Sequence, residues 1–174
     1  MCGSGWMQAY SVHIRHVEKK ADVMDLSEVP EIQKDFEELG EIGISGFVLA
    51  VNVRWNGPEF LHSTYPEEWR TLYEESHFFM FDPIYYWSLM KTGVRRWSEI
   101  RFPDPKIVSN KAARHGLVFG AIVCRKFNGE KSFLSAARPD RELTDAEMRR
   151  MEELLINWVS ISRDLAPTEV VQRS

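Results

Sequence analysis

Residues 65–97 read YPEEWRTLYEESHFFMFDPIYYWSLMKTGVRRW. The stretch holds ten of the chain's twenty-one aromatic residues in about a fifth of its length. Asp82 is the one acid in its densest run, Phe78 to Trp87. A buried carboxylate needs partners, because an unpaired charge in apolar surroundings is costly. Apolar walls with a few directional polar groups are the usual makeup of a small-molecule pocket. The same stretch sets two helices. Pro66 suits the first position of one. On that helix Trp69 and Tyr73 lie one turn apart with Leu72 beside them, while Glu67, Glu68, Arg70, Glu74 and Glu75 face water. Asp82-Pro83 repeats the start signal, with Asp as N-cap and Pro at N1. This second helix is predicted to run to about Thr92 and to stop at Gly93.

Upstream, Ser27 opens a predicted helix with Pro30 in its first turn, and Val29, Ile32, Phe36 and Leu39 recur at helical spacing until Gly40 or Gly43 ends it. Gly46-FVLAVNVRW reads as a strand. Pro58-EFLHSTY is its antiparallel neighbour across Asn56-Gly57, a strong hairpin turn. Downstream, Pro103 to His115 holds a further candidate helix closed by Gly116. Leu117 to Phe127 and Lys131 to Arg138 flank a second hairpin turn, Asn128-Gly129. Thr144-Asp-Ala-Glu147 is a capping box. Beyond it Met148, Met151, Leu155, Trp158, Ile161 and Leu165 form an apolar stripe. The order is α, ββ, αα(α), ββ, α. The packing that buries these stripes most simply is α+β: one antiparallel sheet from two hairpins, with helices on both faces.

A chain of 174 residues suits one domain with a substantial core. Residues 1–24 read as an N-terminal extension, 25–166 as the domain and 167–174 as a polar tail. The net charge of −4 makes the whole chain a poor nucleic-acid binder. No apolar run reaches the length of a membrane span, and the N-terminus lacks a signal-peptide core. The two cysteines, Cys2 and Cys124, form no CxxC, so a reducing cytoplasm is expected.

Catalytic signals are missing. There is no GxGxxG, Walker loop, HExxH or GxSxG. His13 and His16 make an HxxH spacing that nothing nearby completes as a zinc set. Ser135 sits in a strand setting, with no local base pairing it to His115. Neither enzyme activity nor a metal or cofactor is expected. Arg95-Arg96 and Arg149-Arg150 read as solvated faces, and Cys124 as a small buried hydrophobe.

Several spacings occur together: Tyr65-Pro-x-x-Trp69-x-x-x-Tyr73, Asp82-Pro83 nine residues on, Trp97, Gly116-Leu-Val-Phe-Gly120, Asn128-Gly129-Glu130 and Leu134-Ser135. Over about residues 25–165 this combination resembles the autoinducer-binding domain of LuxR-type quorum-sensing regulators. The resemblance implies an α-β-α sandwich that holds an N-acyl-homoserine lactone between the sheet and one helical layer. By motif position, Trp69 would donate its indole N–H to the lactone carbonyl and Asp82 would accept the ligand's amide N–H. Tyr65 and Ser135 would bond the acyl carbonyl, and Tyr73 and Trp97 would wall the lactone ring. Ile84, Phe133, Val48, Ala50, Phe102 and Leu117 complete the expected lining. Phe133, sharing a strand face with Ser135, is the expected stop for a short or medium acyl chain.

Plain structural readings stand beside these. Trp69 and Tyr73 at i, i+4 pack a core, Asp82 before Pro83 caps a helix, and Gly116 and Gly120 end a helix and allow close packing. Where the family often carries Pro, this chain has Cys124. After Leu165 no length remains for the family's helix-turn-helix, so DNA is expected only through a domain outside this chain. Three functions are open: a lactone-sensing domain of a regulator, a stand-alone homologue forming mixed dimers with one, or an enzyme acting on acyl lactones. The last has neither metal ligands nor a nucleophile. The expected partners are the lactone and a second LuxR-type chain, in a homodimer or heterodimer, with no membrane association. One part of the Thr144–Leu165 helix, whose stripe ends in Trp158 and Ile161, is expected to pack on the sheet and another part to join the dimer contact.

Overall fold

The computed structural model describes residues 29–54 and 57–165. The expected N-terminal extension, the HxxH pair, Ser27, Asn56 and the polar tail lie outside the described residues. The elements are α1 (Pro30–Ile42), β1 (Gly46–Arg54), β2 (Gly57–Ser63), α2 (Glu67–Glu75), a 3-10 turn (Phe78–Met80), α3 (Pro83–Met90), β3 (Gly93–Arg96), a second 3-10 turn (Trp97–Glu99), α4 (Val108–Ala113), β4 (Phe119–Phe127), β5 (Glu130–Arg138) and α5 (Asp145–Leu165). The strands form one sheet in the order β2-β1-β5-β4-β3, every neighbouring pair antiparallel.

Strand alternation divides the core into two layers. Phe47, Leu49, Val51, Ala121, Val123, Leu134 and Ala136 turn to one face and meet Ile32 and Leu39 of α1 and Met151, Leu154, Leu155 and Trp158 of α5. Val48, Ala50, Ile122, Cys124 and Phe133 turn to the other, beneath Ile84 and Trp87 of α3. The expected α-β-α sandwich is the observed architecture. Asn128 and Gly129 both take positive φ, 48° and 89°, the geometry a two-residue hairpin turn demands.

The structure departs from the sequence reading at several places. Helix α3 stops at Met90, two residues short of Thr92, because Lys91 is already extended. Gly93–Arg96 is then a fifth strand, paired with β4 from Gly93↔Cys124 to Arg96↔Ala121. Four residues with one apolar side chain among them show no periodicity. Arg96 is not a solvated side chain: its Nε donates to Leu143 O at 2.9 Å, and it pairs with Glu99 and Asp145. Arg150 ties α5 to α1, its Nε and Nη2 donating to the Glu38 carboxylate at 2.7 and 2.8 Å. The stripe of α5 is spent inside the chain. Trp158 is fully buried with its indole N–H on Asp35 at 2.8 Å, and Ile161, partly buried, packs against the same core.

The capping box of α5 forms as read. Thr144 N donates to Glu147 at 2.7 Å, and Glu147 N donates to Thr144 Oγ1 at 3.2 Å. Its hydrogen bond from Arg141, with the Thr144 donors, lowers the Glu147 pKa to about 2. A lowered carboxylate contributes stability that is present above its ordinary value and is lost as pH falls toward the folded value. Glu147→Gln is therefore expected to cost about 1 kcal/mol at neutral pH and nothing near pH 2. Urea unfolding at the two pH values checks the difference.

Candidate functional site

The helical layer over Val48, Ala50, Phe133 and Ser135 places most of the candidate side chains. Asp82 is the N-cap of α3. Its Oδ1 accepts the Ile84 and Tyr85 N–H groups at 2.7 and 3.3 Å, and its Oδ2 accepts the Tyr73 hydroxyl at 2.8 Å. Burial pushes its pKa up, with a smaller push from Asp104, while these three donors pull it down. A carboxylate offers about four lone-pair positions. Three are occupied among the described residues, which leaves one on Oδ2 for a further donor.

Tyr73 touches Asp82 with its hydroxyl and Trp69 with its ring, the ring centroids lying 5.6 Å apart edge to face. Phe78 and His115 enclose the other sides of the Trp69 indole at 6.0 and 5.6 Å. Trp69 is 4% exposed, and none of the hydrogen bonds among the described residues uses its N–H.

The two hydroxyls expected at an acyl carbonyl are already engaged. Tyr65 OH donates to the Ser135 backbone oxygen at 3.3 Å, and burial holds its pKa well above the ordinary tyrosine value. Ser135 Oγ accepts the Trp97 indole N–H at 3.1 Å and donates to Ala121 O at 3.1 Å. Trp97 reaches Ser135 by lying flat against Gly120, where a Cβ would stand 2.4 Å from two ring carbons.

Residues 36–164 match the family model for the autoinducer-binding domain. The chain belongs to this family. It is an autoinducer-binding domain of the LuxR type, as the combined spacings implied. Solved structures share its fold. Escherichia coli SdiA is 20% identical with a TM-score of 0.61, the match covering 97% of this chain and 70% of that one. SdiA in complex with octanoyl-rac-glycerol is 22% identical with a TM-score of 0.59, covering 97% and 68%. CepR2 of Burkholderia cenocepacia, an N-acylhomoserine lactone dependent LuxR family transcription factor, is 16% identical with a TM-score of 0.55, covering 80% and 87%. No curated protein sequence matches the chain.

In the autoinducer-binding domain the candidate lining falls into two clusters. Tyr65, Trp69, Tyr73, Trp97 and Leu117 gather around Ala137. Val48, Ala50, Ile84, Phe102 and Phe133 gather with Trp87, Ile100, Ile122 and Cys124. Ile122 and Cys124 join this cluster beyond the lining residues that the sequence reading names, and a sequence signal for them exists. The two-residue turn at Asn128-Gly129 fixes Phe127↔Glu130, and hence Cys124↔Phe133 and Ile122↔Ser135. Trp87 lies one turn beyond Ile84 on α3. Among the described residues no cluster of three His, Cys, Asp or Glu side chains is placed to hold a metal ion, and no helix is long and apolar enough to cross a membrane. A surface groove of about 440 Å³ beside Phe36, Gly40, Ile44 and His62 involves none of the candidate residues.

Proposed function

We propose that this domain is a cytoplasmic sensor that binds an N-acyl-homoserine lactone between the sheet and α2, α3 and α4. One observation supports the head-group assignment above all. Among the described residues, a donor with no acceptor, the Trp69 N–H, and an acceptor with a position to spare, Asp82 Oδ2, flank the same tyrosine. A lactone carbonyl and an amide N–H are the complementary pair, so neither protein group is left unsatisfied on binding. The acyl carbonyl would take the Ser135 and Tyr65 protons from Ala121 O and Ser135 O, with Tyr73 and Trp97 bounding the ring. The acyl chain would run past Ile84, Val48, Ala50 and Phe133, with Phe102 and Leu117 closing the sides.

A second ligand class deserves the same assay, because SdiA has been solved with octanoyl-rac-glycerol. A glycerol hydroxyl can donate to Asp82 as an amide does, and the acyl carbonyl is common to both. Dimerisation with itself or with a LuxR-type regulator, and DNA contact through a separate domain, complete the reading. The dimer contact would draw on the part of α5 left uncovered, where Ile156 is exposed and Ile161 only partly buried.

A ligand that binds only the folded state stabilises it by mass action. At a concentration one hundred times its Kd, a matching acyl lactone is expected to add about 2.7 kcal/mol, which raises Tm by roughly 5–11 °C. Thermal unfolding against a panel of acyl lactones and monoacylglycerols checks this. No shift with any lactone would overturn the lactone assignment, and a shift with the glycerol esters alone would replace it.

A further inference from the structure

Lys131 makes a contact that the ligand assignments do not use. Its Nζ donates to three backbone carbonyls at the C-terminal end of α3: Ser88 O at 2.8 Å, Leu89 O at 2.7 Å and Lys91 O at 2.9 Å. An ammonium has three protons, so the group is fully spent. It also sits at the negative end of the helix dipole. Helix α3 has no glycine cap of the usual kind, since Lys91 is extended. The lysine takes that role from another element. Cys124 Sγ adds a fourth contact to the same turn, 3.4 Å from Ser88 O.

The position of Lys131 matters more than the bonds. On β5 the residues facing this layer follow each other as Lys131, Phe133, Ser135 and Ala137. From Lys131 to Ser135 is about 13 Å along the strand. The eight residues of α3 span about 12 Å. Ile84 and Trp87 of α3 pack in one cluster with Phe133. Helix α3 therefore packs over the β4–β5 face, fixed by Asp82 at the head-group end and by Lys131 at the other.

We propose that Lys131 is a positioning and specificity residue: by pinning the last turn of α3 it closes the tail end of the pocket and limits the length of acyl chain the domain accepts. Phe133 is then the floor of that end and the clamped helix its lid. The inference rests on the acyl-ligand reading, but the clamp itself can be measured without ligand.

The experiment uses the full chain. Lys131→Met keeps the length of the side chain and removes the ammonium, and Lys131→Gln, which keeps one donor pair, stands in if Lys131→Met does not fold. In a Cys2→Ser background the reaction of Cys124 with dithionitrobenzoate reports opening of α3, since Cys124 is fully buried beneath it. Releasing the clamp is expected to raise that rate about tenfold at denaturant concentrations well below unfolding. Calorimetry then compares acyl-homoserine lactones of four, eight and twelve carbons. Each methylene that gains dry space is worth about fourfold in affinity. The variant's preference for twelve carbons over eight is expected to rise tenfold or more, with the four-carbon affinity changed less than threefold. An unchanged thiol rate overturns the clamp. A faster thiol with equal losses at every chain length overturns its role in selectivity, leaving Lys131 merely structural. Wild-type protein that binds neither acyl lactone nor acylglycerol overturns the ligand reading, with the thiol rate still deciding the clamp.

Discussion

Asp82→Ala is expected to lower lactone affinity about 100-fold. A hydrogen bond to a charged group is worth about 1.5–3 kcal/mol, and this variant also loosens the wall beside the ligand. The Tyr73 hydroxyl loses its acceptor and two α3 amides lose their cap. The same loss costs the free domain about 1–2 kcal/mol through the cap. Calorimetry at a temperature where the variant is folded separates the two effects. Unchanged affinity in folded Asp82→Ala would remove Asp82 from the site and leave it a plain N-cap. Asp82→Asn is the informative companion. Burial holds the carboxyl above its ordinary value. Between that value and the raised one, the folded chain holds a proton that the unfolded chain has released. Stability therefore falls as pH rises through that window, and the Asn variant should lose that slope.

Gly120→Ala is the second large effect. Gly120 has no left-handed backbone to protect, so the cost is steric alone: the new methyl would meet the Trp97 ring at 2.4 Å. Either the ring leaves or the strand moves, and overpacking of this kind costs about 1–3 kcal/mol. The Tm is expected to fall by about 2–12 °C. Displacing the ring breaks the Trp97–Ser135 hydrogen bond, so ligand affinity should fall with it. The decisive measurement is the double variant with Trp97→Leu. Once the ring is gone, Gly120→Ala should cost little, and the two changes should be strongly non-additive. Simple additivity would mean that the glycine serves something other than the indole.

The elements legible from sequence alone are those governed by neighbours in the chain. Asp82-Pro83 starts a helix because the carboxylate reaches amides two and three residues on. Thr144 and Glu147 satisfy each other's amides across one turn. Asn128-Gly129 makes a hairpin because both positions tolerate positive φ, and the turn then dictates which residues of β4 and β5 share a face. The two-layered sandwich follows from these local signals and the apolar stripes. Recognition of the ligand family required more, a combination of spacings that no single turn or helix explains.

What only the tertiary structure decided lies in pairings between distant residues. Strand β3 exists because β4, some thirty residues later, offers its edge. Arg96 is anchored by a carbonyl 47 residues away, and Lys131 caps a helix end about 40 residues before it. Trp97 spends its N–H on Ser135 only because Gly120 lets the ring lie against the sheet. The α5 stripe was readable as apolar, but a stripe does not say what covers it, and here α1 and the sheet do. Local propensity and periodicity carry no signature of such contacts. Each depends on where the whole chain places two groups, and each is stable because a buried donor, acceptor or apolar face is costly until that partner arrives.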